Sequence, residues 1–439
     1  MMEPVFQALT DRLMEHLQSG ETLLLDFYGE QSDFVRLSRN RVRQAGEVTR
    51  RHLKLDLIEG RRHADAELEL SGYPGQDLER VKPLLRTLRA QRAHLPDDPY
   101  LNFATQVHST RRQQAGSIPA SDQALARLAA AAQGMDLVGI WANGTQYRGF
   151  ANSLGQRNWH ASASFNLDWS CFLNPDKAVK SAMAGMHWDA ARLDEKLAQA
   201  RSRLAVLERP ARTLEPGRYR VYLAPEALAE IMTVLARGGF GLDSHRTGQS
   251  PLMRMVTEGL SLAPFVNIHE RRDGGLAPDF TEAGFILPPA VRLIENGRYR
   301  DCLAGPRSAR EYDVPVNADT EYPQGLTMDA GTLAQQDILT ALDTGLYVSN
   351  LWYCNFSDRD NARITGMTRF ACLWVQGGVV QGPVGAMRFD DSVYRLLGER
   401  LEALTAEREL MVDSSSYGRR SSRSALLPGA LIDGVTFTL

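Results

Sequence analysis

Between Met367 and Val375 the chain is apolar at nearly every position. Met367, Ala371, Leu373 and Val375 fall on one side of an extended segment, and Phe370, Cys372 and Trp374 on the other. A strand with no wet face belongs inside a domain, covered on both sides. Gly377-Gly378 follows and supplies the positive φ angles of a two-residue hairpin turn. Ala161 to Trp169 shows strict alternation instead. Ala161, Ala163, Phe165, Leu167 and Trp169 face a core, while Ser162, Ser164, Asn166 and Asp168 face out, which predicts one buried and one polar face.

The same reading predicts a helix over 1–20, with Phe6, Leu9, Leu13 and Leu17 at helical spacing and Gly20 past its end. Strands are expected at 22–28, 34–42, 51–58 and 64–70. A helix covers 77–92, beginning or kinking at Pro83. Residues 93–120 are irregular, and an alanine-rich helix with a Ser or Asp cap covers 121–133. Residues 137–141 and 145–151 are expected to form a hairpin about Asn143-Gly144. Leu193, Leu197, Ala200, Leu204 and Leu207 line a helix that ends before Pro210.

Beyond Pro210 come a strand at 218–223 and a helix at 225–237, opened by Pro225 and stopped by Gly238-Gly239. Loop-rich sequence reaches residue 285, and a hairpin turns at Asn296-Gly297. A short helix at 332–342, a helix at 392–408 and a last strand at 431–438 complete the pattern. The fold class is therefore α+β in two domains. The first, 1–210, mixes sheet and helix; the second, 211–439, is strand-rich, barrel- or sandwich-like, with a few helices. A length of 439 residues agrees, being too long for one ordinary core.

Composition removes several function classes. The apolar and charged fractions are those of a globular protein, and the net charge of −3 gives no pull toward nucleic acid or anionic membrane. Four scattered cysteines, without a CxxC pair, suit a reducing compartment. No apolar run is long enough to cross a bilayer, and acids near the N-terminus stand where an export signal would be positive. The expected location is cytoplasmic, without membrane partners.

Candidate chemistry is sparse. The nine histidines include no pair one helical turn apart, so no local zinc motif exists. A dispersed set such as His245, His269 and Cys354 is outweighed by ordinary packed or surface histidines. Cys354, Asn355 and Asp358 lie in a polar stretch beside the apolar strand and are the candidates for a relocated hydrolytic centre; a half-buried structural cysteine is the commoner outcome. Ser349 and Ser357 sit in no nucleophile elbow, and no phosphate loop or dinucleotide fingerprint is present, so no cofactor is expected. Arg39, Arg41 and Arg43 alternate on one predicted strand face, without aromatics, which favours a solvated or partner-facing strip over nucleic acid. Arg419, Arg420 and Arg423 among serines suggest a mobile loop.

The run NLWYCNFSDRDNARITGMTRFACLWVQGG, 350–378, resembles the C-terminal core of the TldD/PmbA family, described both as a modulator of DNA gyrase and as a metalloprotease family. RYRVYLAPEAL and LIENGRYRDCL agree, and the likeness extends, more faintly, toward the N-terminus. Catalytic TldD-type members carry His-Glu-x-x-x-His on the helix after the first strand of the second domain. The matching helix here, 224–239, has no histidine. Their third ligand is a cysteine from a loop near the C-terminus; the matching loop, DSSSYGRRSSR at 413–423, has none. The resemblance therefore implies the PmbA/TldE branch, a non-catalytic subunit whose zinc sits in a TldD-like partner, or else a homodimer. The implied substrate is an extended, unfolded or leader peptide.

Overall fold

The computed structural model describes residues 2–416 and 418–438. Met1, Tyr417 and Leu439 lie outside the described residues, and with them the first position of the expected N-terminal helix and one position of the Ser/Arg-rich loop. Two sheets organise the chain. The first is built from β1 (Glu21–Ser38), β2 (Arg41–Glu59), β3 (Arg62–Glu69), β4 (Arg111–Gln114), β5 (Asp136–Asn152), β6 (Arg157–Asn174) and β7 (Lys177–Gly185). Its order is β3-β2-β1-β5-β6-β4, with β7 also on β6.

Helices α1 (Met2–Met14), α2 (Pro74–Arg92), α3 (Ser121–Ala131) and α4 (Ala190–Leu207) cover one face of this sheet. Phe6 of α1 stacks on Phe27 and Trp159 at 5.2 and 6.1 Å, while Leu193 and Leu197 of α4 pack with Trp141, Phe165 and Trp169. Each fully buried aromatic side chain of this kind contributes roughly 2–3 kcal/mol, beside the many leucines of the same core.

Several expected boundaries move. The strands expected at 22–28 and 34–42 are one strand, β1, and its turn is Arg39-Asn40 with φ of 51° and 54°. Arg39 therefore leaves the strand face that Arg41 and Arg43 occupy. Asn143-Gly144 makes no turn: β5 runs straight through it, paired to Asp33 and Ser32. A Cβ at Gly144 would collide with the Gln31 carbonyl oxygen, so glycine is required there by close approach. Helix α2 continues through Pro83, which lies on its exposed side. Helix α3 has no side-chain cap; Ser121 bonds Asp33 and Asn143 instead.

The second sheet contains β8 (Gly217–Leu223), β9 (Ile268–Arg271), β10 (Ala290–Glu295), β11 (Arg298–Tyr299), β12 (Gly325–Met328), β13 (Gly345–Asp358), β14 (Arg363–Gln376), β15 (Val379–Pro383), β16 (Arg388–Ser392), β17 (Leu401–Val412) and β18 (Ser424–Phe437). Strands β18, β16, β14, β13 and β8 pair in series, and β8 pairs back onto β18, closing a ring. That closure is the barrel-like architecture the strand pattern implied. Helix α5 (Pro225–Ala236) packs on it, burying Ala227, Leu228, Ile231, Met232, Val234, Leu235 and Ala236.

The Gly377-Gly378 and Asn296-Gly297 turns form as expected, with positive φ at all four residues. The strand before Gly377 is interrupted. Phe370 takes φ 59° and forms a bulge, which leaves Met367 partly exposed while Ala371 to Leu373 and Val375 stay buried. The helix expected at 392–408 is strand β16, a short π-turn at Arg395–Glu399 and strand β17. Leu401 and Leu404 meet the core through pairing with β18, a distant segment that local periodicity does not register.

Candidate functional site

The polar face of the first sheet is not wet. Tyr28, Glu30 and Ser32 of β1, Gln146 of β5, and Asn158, His160, Ser162, Ser164 and Asn166 of β6 are all buried. This corrects the expectation of an outward polar face on 161–169: the second domain covers it. Main-chain groups of that domain bond the strand side chains. Val412 O accepts from Asn166 Nδ2 at 2.9 Å, Leu276 O faces His160 Nε2 at 3.3 Å, and Gly284 O accepts from Gln156 Nε2 at 2.7 Å. Burial lowers the His160 pKa to about 4, so the ring is neutral, and its carbonyl partner puts the proton on Nε2.

Arg420 is the centre of the contact. Only 4 % of it is exposed. Its Nη2 donates to Ser164 O and Oγ at 2.9 Å, and its Nη1 to Ser32 Oγ and Gly144 O at 3.3 Å. Its own N–H donates to Glu30 Oε2 at 3.2 Å, and its carbonyl accepts from Gln146 and Tyr28. Arg419 lies over the Tyr28 ring, and Arg423 pairs with Asp413. The expected mobile loop is thus a clasp between domains, because each guanidinium finds fixed acceptors or a ring face.

Beside the clasp the domains part. A cleft of about 400 Å³ runs between β6 and β7 on one wall and α5, β17 and the start of β18 on the other. A second space of about 560 Å³ adjoins it and shares Asn166, Asp168, Lys180 and residues 412–414. Helix α5 shows the cleft a narrow strip that includes Glu226, Ala229, Glu230 and Thr233, the remainder of its turns being spent on the core. Glu230 is water-accessible yet recessed; desolvation raises its pKa, opposed by Lys180 and Arg237. Asp168 pairs with Lys180 at 3.2 Å. Asn350 of β13, 7 % exposed, also lines the cleft, and its Oδ1 has no hydrogen-bond partner among the described residues.

Cys354, Asn355 and Asp358 lie on β13 but are not drawn into one constellation. Asn355 Oδ1 accepts from the N–H of Phe356, and Asp358 caps the hairpin tip through Asn361. Burial pushes the Cys354 thiol up to about 12, which keeps it protonated at neutral pH. His245 Nε2 faces Gly239 O at 2.9 Å and His269 faces Asp329 at 3.4 Å. Among the described residues no three His, Cys, Asp or Glu side chains are grouped to hold an ion. Zinc, which the family resemblance places in catalytic relatives, therefore has no fitting donor set on α5 or beside it.

Sequence reasoning placed Arg420 in a mobile loop and missed the roles of Asn350 and the α5 strip. One signal was available. Ser162, Ser164 and Asn166 are small and uncharged, whereas a wet strand face usually carries long charged side chains.

A closed strand ring bearing an apolar helix, clasped to the polar face of a helix-backed antiparallel sheet, defines a two-domain α+β protein with a cleft between its domains. A family profile described as "PmbA/TldA metallopeptidase C-terminal domain" matches residues 216–439, just over half of the sequence. The chain belongs to the PmbA/TldD family. Solved structures share its fold over nearly the whole length. A candidate modulator of a DNA gyrase from Thermotoga maritima has TM-score 0.76 at 13 % identity, covering 99 % of this chain and 100 % of that one. TldE from Thermococcus kodakarensis has TM-score 0.76 at 15 % identity, covering 98 % and 100 %. A candidate modulator of DNA gyrase from Bacteroides thetaiotaomicron has TM-score 0.73 at 12 % identity, covering 99 % and 98 %. Among curated protein sequences none matches. No helix among the described residues is long and apolar enough to cross a membrane.

Proposed function

We propose that this chain is a TldE-like, non-catalytic subunit of a TldD/TldE-type zinc peptidase in the cytoplasm. It serves as wall and guide for an extended unfolded or leader peptide, with the zinc and the hydrolytic step supplied by a TldD-like partner. The observation that carries the reading is the cleft-facing strip of α5. Where catalytic relatives are expected to present His-Glu-x-x-x-His, this helix presents Glu226, Ala229, Glu230 and Thr233. A zinc peptidase needs imidazole or thiolate donors and an activated water, and neither donor type stands on this wall.

The groove suits the guiding role. Its sheet wall mixes polar side chains, among them Asn166, Asp168 and Ser170, with apolar ones such as Val138 and Ile140, and residues 412–416 line its other side. Such a surface can hold an extended chain by its amides without reading sequence closely. Reconstitution tests the proposal. The isolated chain is expected to leave an unfolded protein such as casein intact. Mixing it with a family member that carries His-Glu-x-x-x-His should raise cleavage above that of the member alone. Cleavage by the isolated chain, abolished by Cys354→Ala, would instead establish a relocated thiol centre.

A further inference from the structure

The geometry points to a peptide carrying a basic side chain as the occupant of the α5 cleft, and the inference rests on the peptide-guide reading above. Four carboxylates line this cleft against two cations. Asp168 is matched by Lys180, and Asp413 by Arg423. Glu226 and Glu230 remain, and neither forms an ion pair or hydrogen bond among the described residues. They stand one helical turn apart on α5, where like charges repel, and more strongly when recessed from water. Lys180 and Arg237 are near enough to favour the charge on Glu230, yet desolvation outweighs them. A cation placed between the two carboxylates would offset the repulsion and compensate for the desolvation by charge attraction.

Asn350 supplies the independent observation. It is more than nine-tenths buried, lines the same cleft and leaves Oδ1 without a donor. Its Nδ2 also enters no hydrogen bond among the described residues. A buried amide left unmatched forfeits its hydrogen bonds to water without replacement. An amide has one donor end and one acceptor end, the complement of a peptide unit in an extended chain. The neighbouring Ser349 Oγ is likewise buried and unmatched. Asn350 therefore takes the main chain of the bound segment, and Glu226 with Glu230 takes a lysine or arginine side chain projecting from it.

The test is titration of the full chain with a short fluorescein-labelled Ser/Ala peptide bearing lysine, norleucine or glutamate at one central position, followed by fluorescence anisotropy at low ionic strength. The lysine peptide is expected to bind about tenfold tighter than the norleucine peptide, with the glutamate peptide weakest. The Glu226→Gln/Glu230→Gln double variant, whose side chains keep their shape, should bring lysine binding down to the norleucine level. Asn350→Ala should weaken all three peptides alike, and Asn350→Leu serves if the alanine variant does not fold. Equal binding of the lysine and norleucine peptides, or a preference that survives the double variant, overturns this inference and leaves the guide reading standing. Absence of binding by every peptide overturns both.

Discussion

Arg420 and Asn350 are both buried where the two domains meet, and their surroundings treat them oppositely. Arg420 donates to four acceptors on β1, β5 and β6, while its main chain engages Glu30, Tyr28 and Gln146. Asn350 stands in the cleft wall with a buried acceptor that has no donor among the described residues. Folding alone explains the first arrangement, since a buried charge is tolerated only when paired and hydrogen-bonded. It does not explain the second, which the protein could have avoided with an apolar side chain of the same size. The difference separates a contact that fixes the domains from a surface kept ready for something else.

The largest effect expected from breaking this comparison lies at the clasp. Arg420→Ala would strand the acceptors of β6 and leave Glu30, fully buried, without the compensating charge. A loss of about 3–5 kcal/mol is expected, seen in chemical denaturation as a lowered midpoint and as separate unfolding of the two sheets. Next in size is an acid effect at His160. Its folded pKa is depressed to about 4 from an unfolded value of 6.5, so the unfolded chain binds the extra proton first as pH falls. The stability from neutral burial is full above pH 6.5 and is lost as pH falls toward 4, by up to about 3 kcal/mol. His160→Gln should flatten that part of the stability–pH curve.

At Asn350 the sign is expected to reverse. Asn350→Leu removes an unmatched polar group with little change in volume, so thermal unfolding should stay within about 1 kcal/mol of the parent or rise, while peptide binding falls. A large destabilisation there would show that Asn350 is structural after all, and would erase the contrast with Arg420. Smallest of all, Glu226→Gln should shift stability by no more than about 0.5 kcal/mol, as is usual at a partly exposed position, with its effect confined to binding.

The sequence made parts of this architecture legible and hid others for physical reasons. Gly377-Gly378 and Asn296-Gly297 were readable as turns because both residues of each pair take positive φ in a local hairpin. Asn143-Gly144 carries the same signature and is no turn, because the Gln31 carbonyl of a distant strand sets the demand for glycine there. The helix expected at 392–408 failed likewise: Leu401 and Leu404 are placed by pairing with β18, not by their own spacing. Alternation on β6 correctly assigned which residues oppose the helices. It could not tell solvent from a second domain on the other side, since both accept polar groups. Arg420 was hidden in a serine-rich run whose composition is that of a loop, although its side chain is anchored. The plain α5 strip was legible only as missing histidines, and the positive content of that strip, Glu226 and Glu230, emerged once the cleft was formed.

The central claim is that this wall of the cleft carries no catalytic metal of its own. Elemental analysis of the purified full chain, after dialysis against buffer with trace zinc, tests it most directly. Well under one zinc per chain is predicted, with no cleavage of unfolded protein on adding more. One tightly held zinc per chain, retained through dialysis and accompanied by proteolysis, would contradict the account.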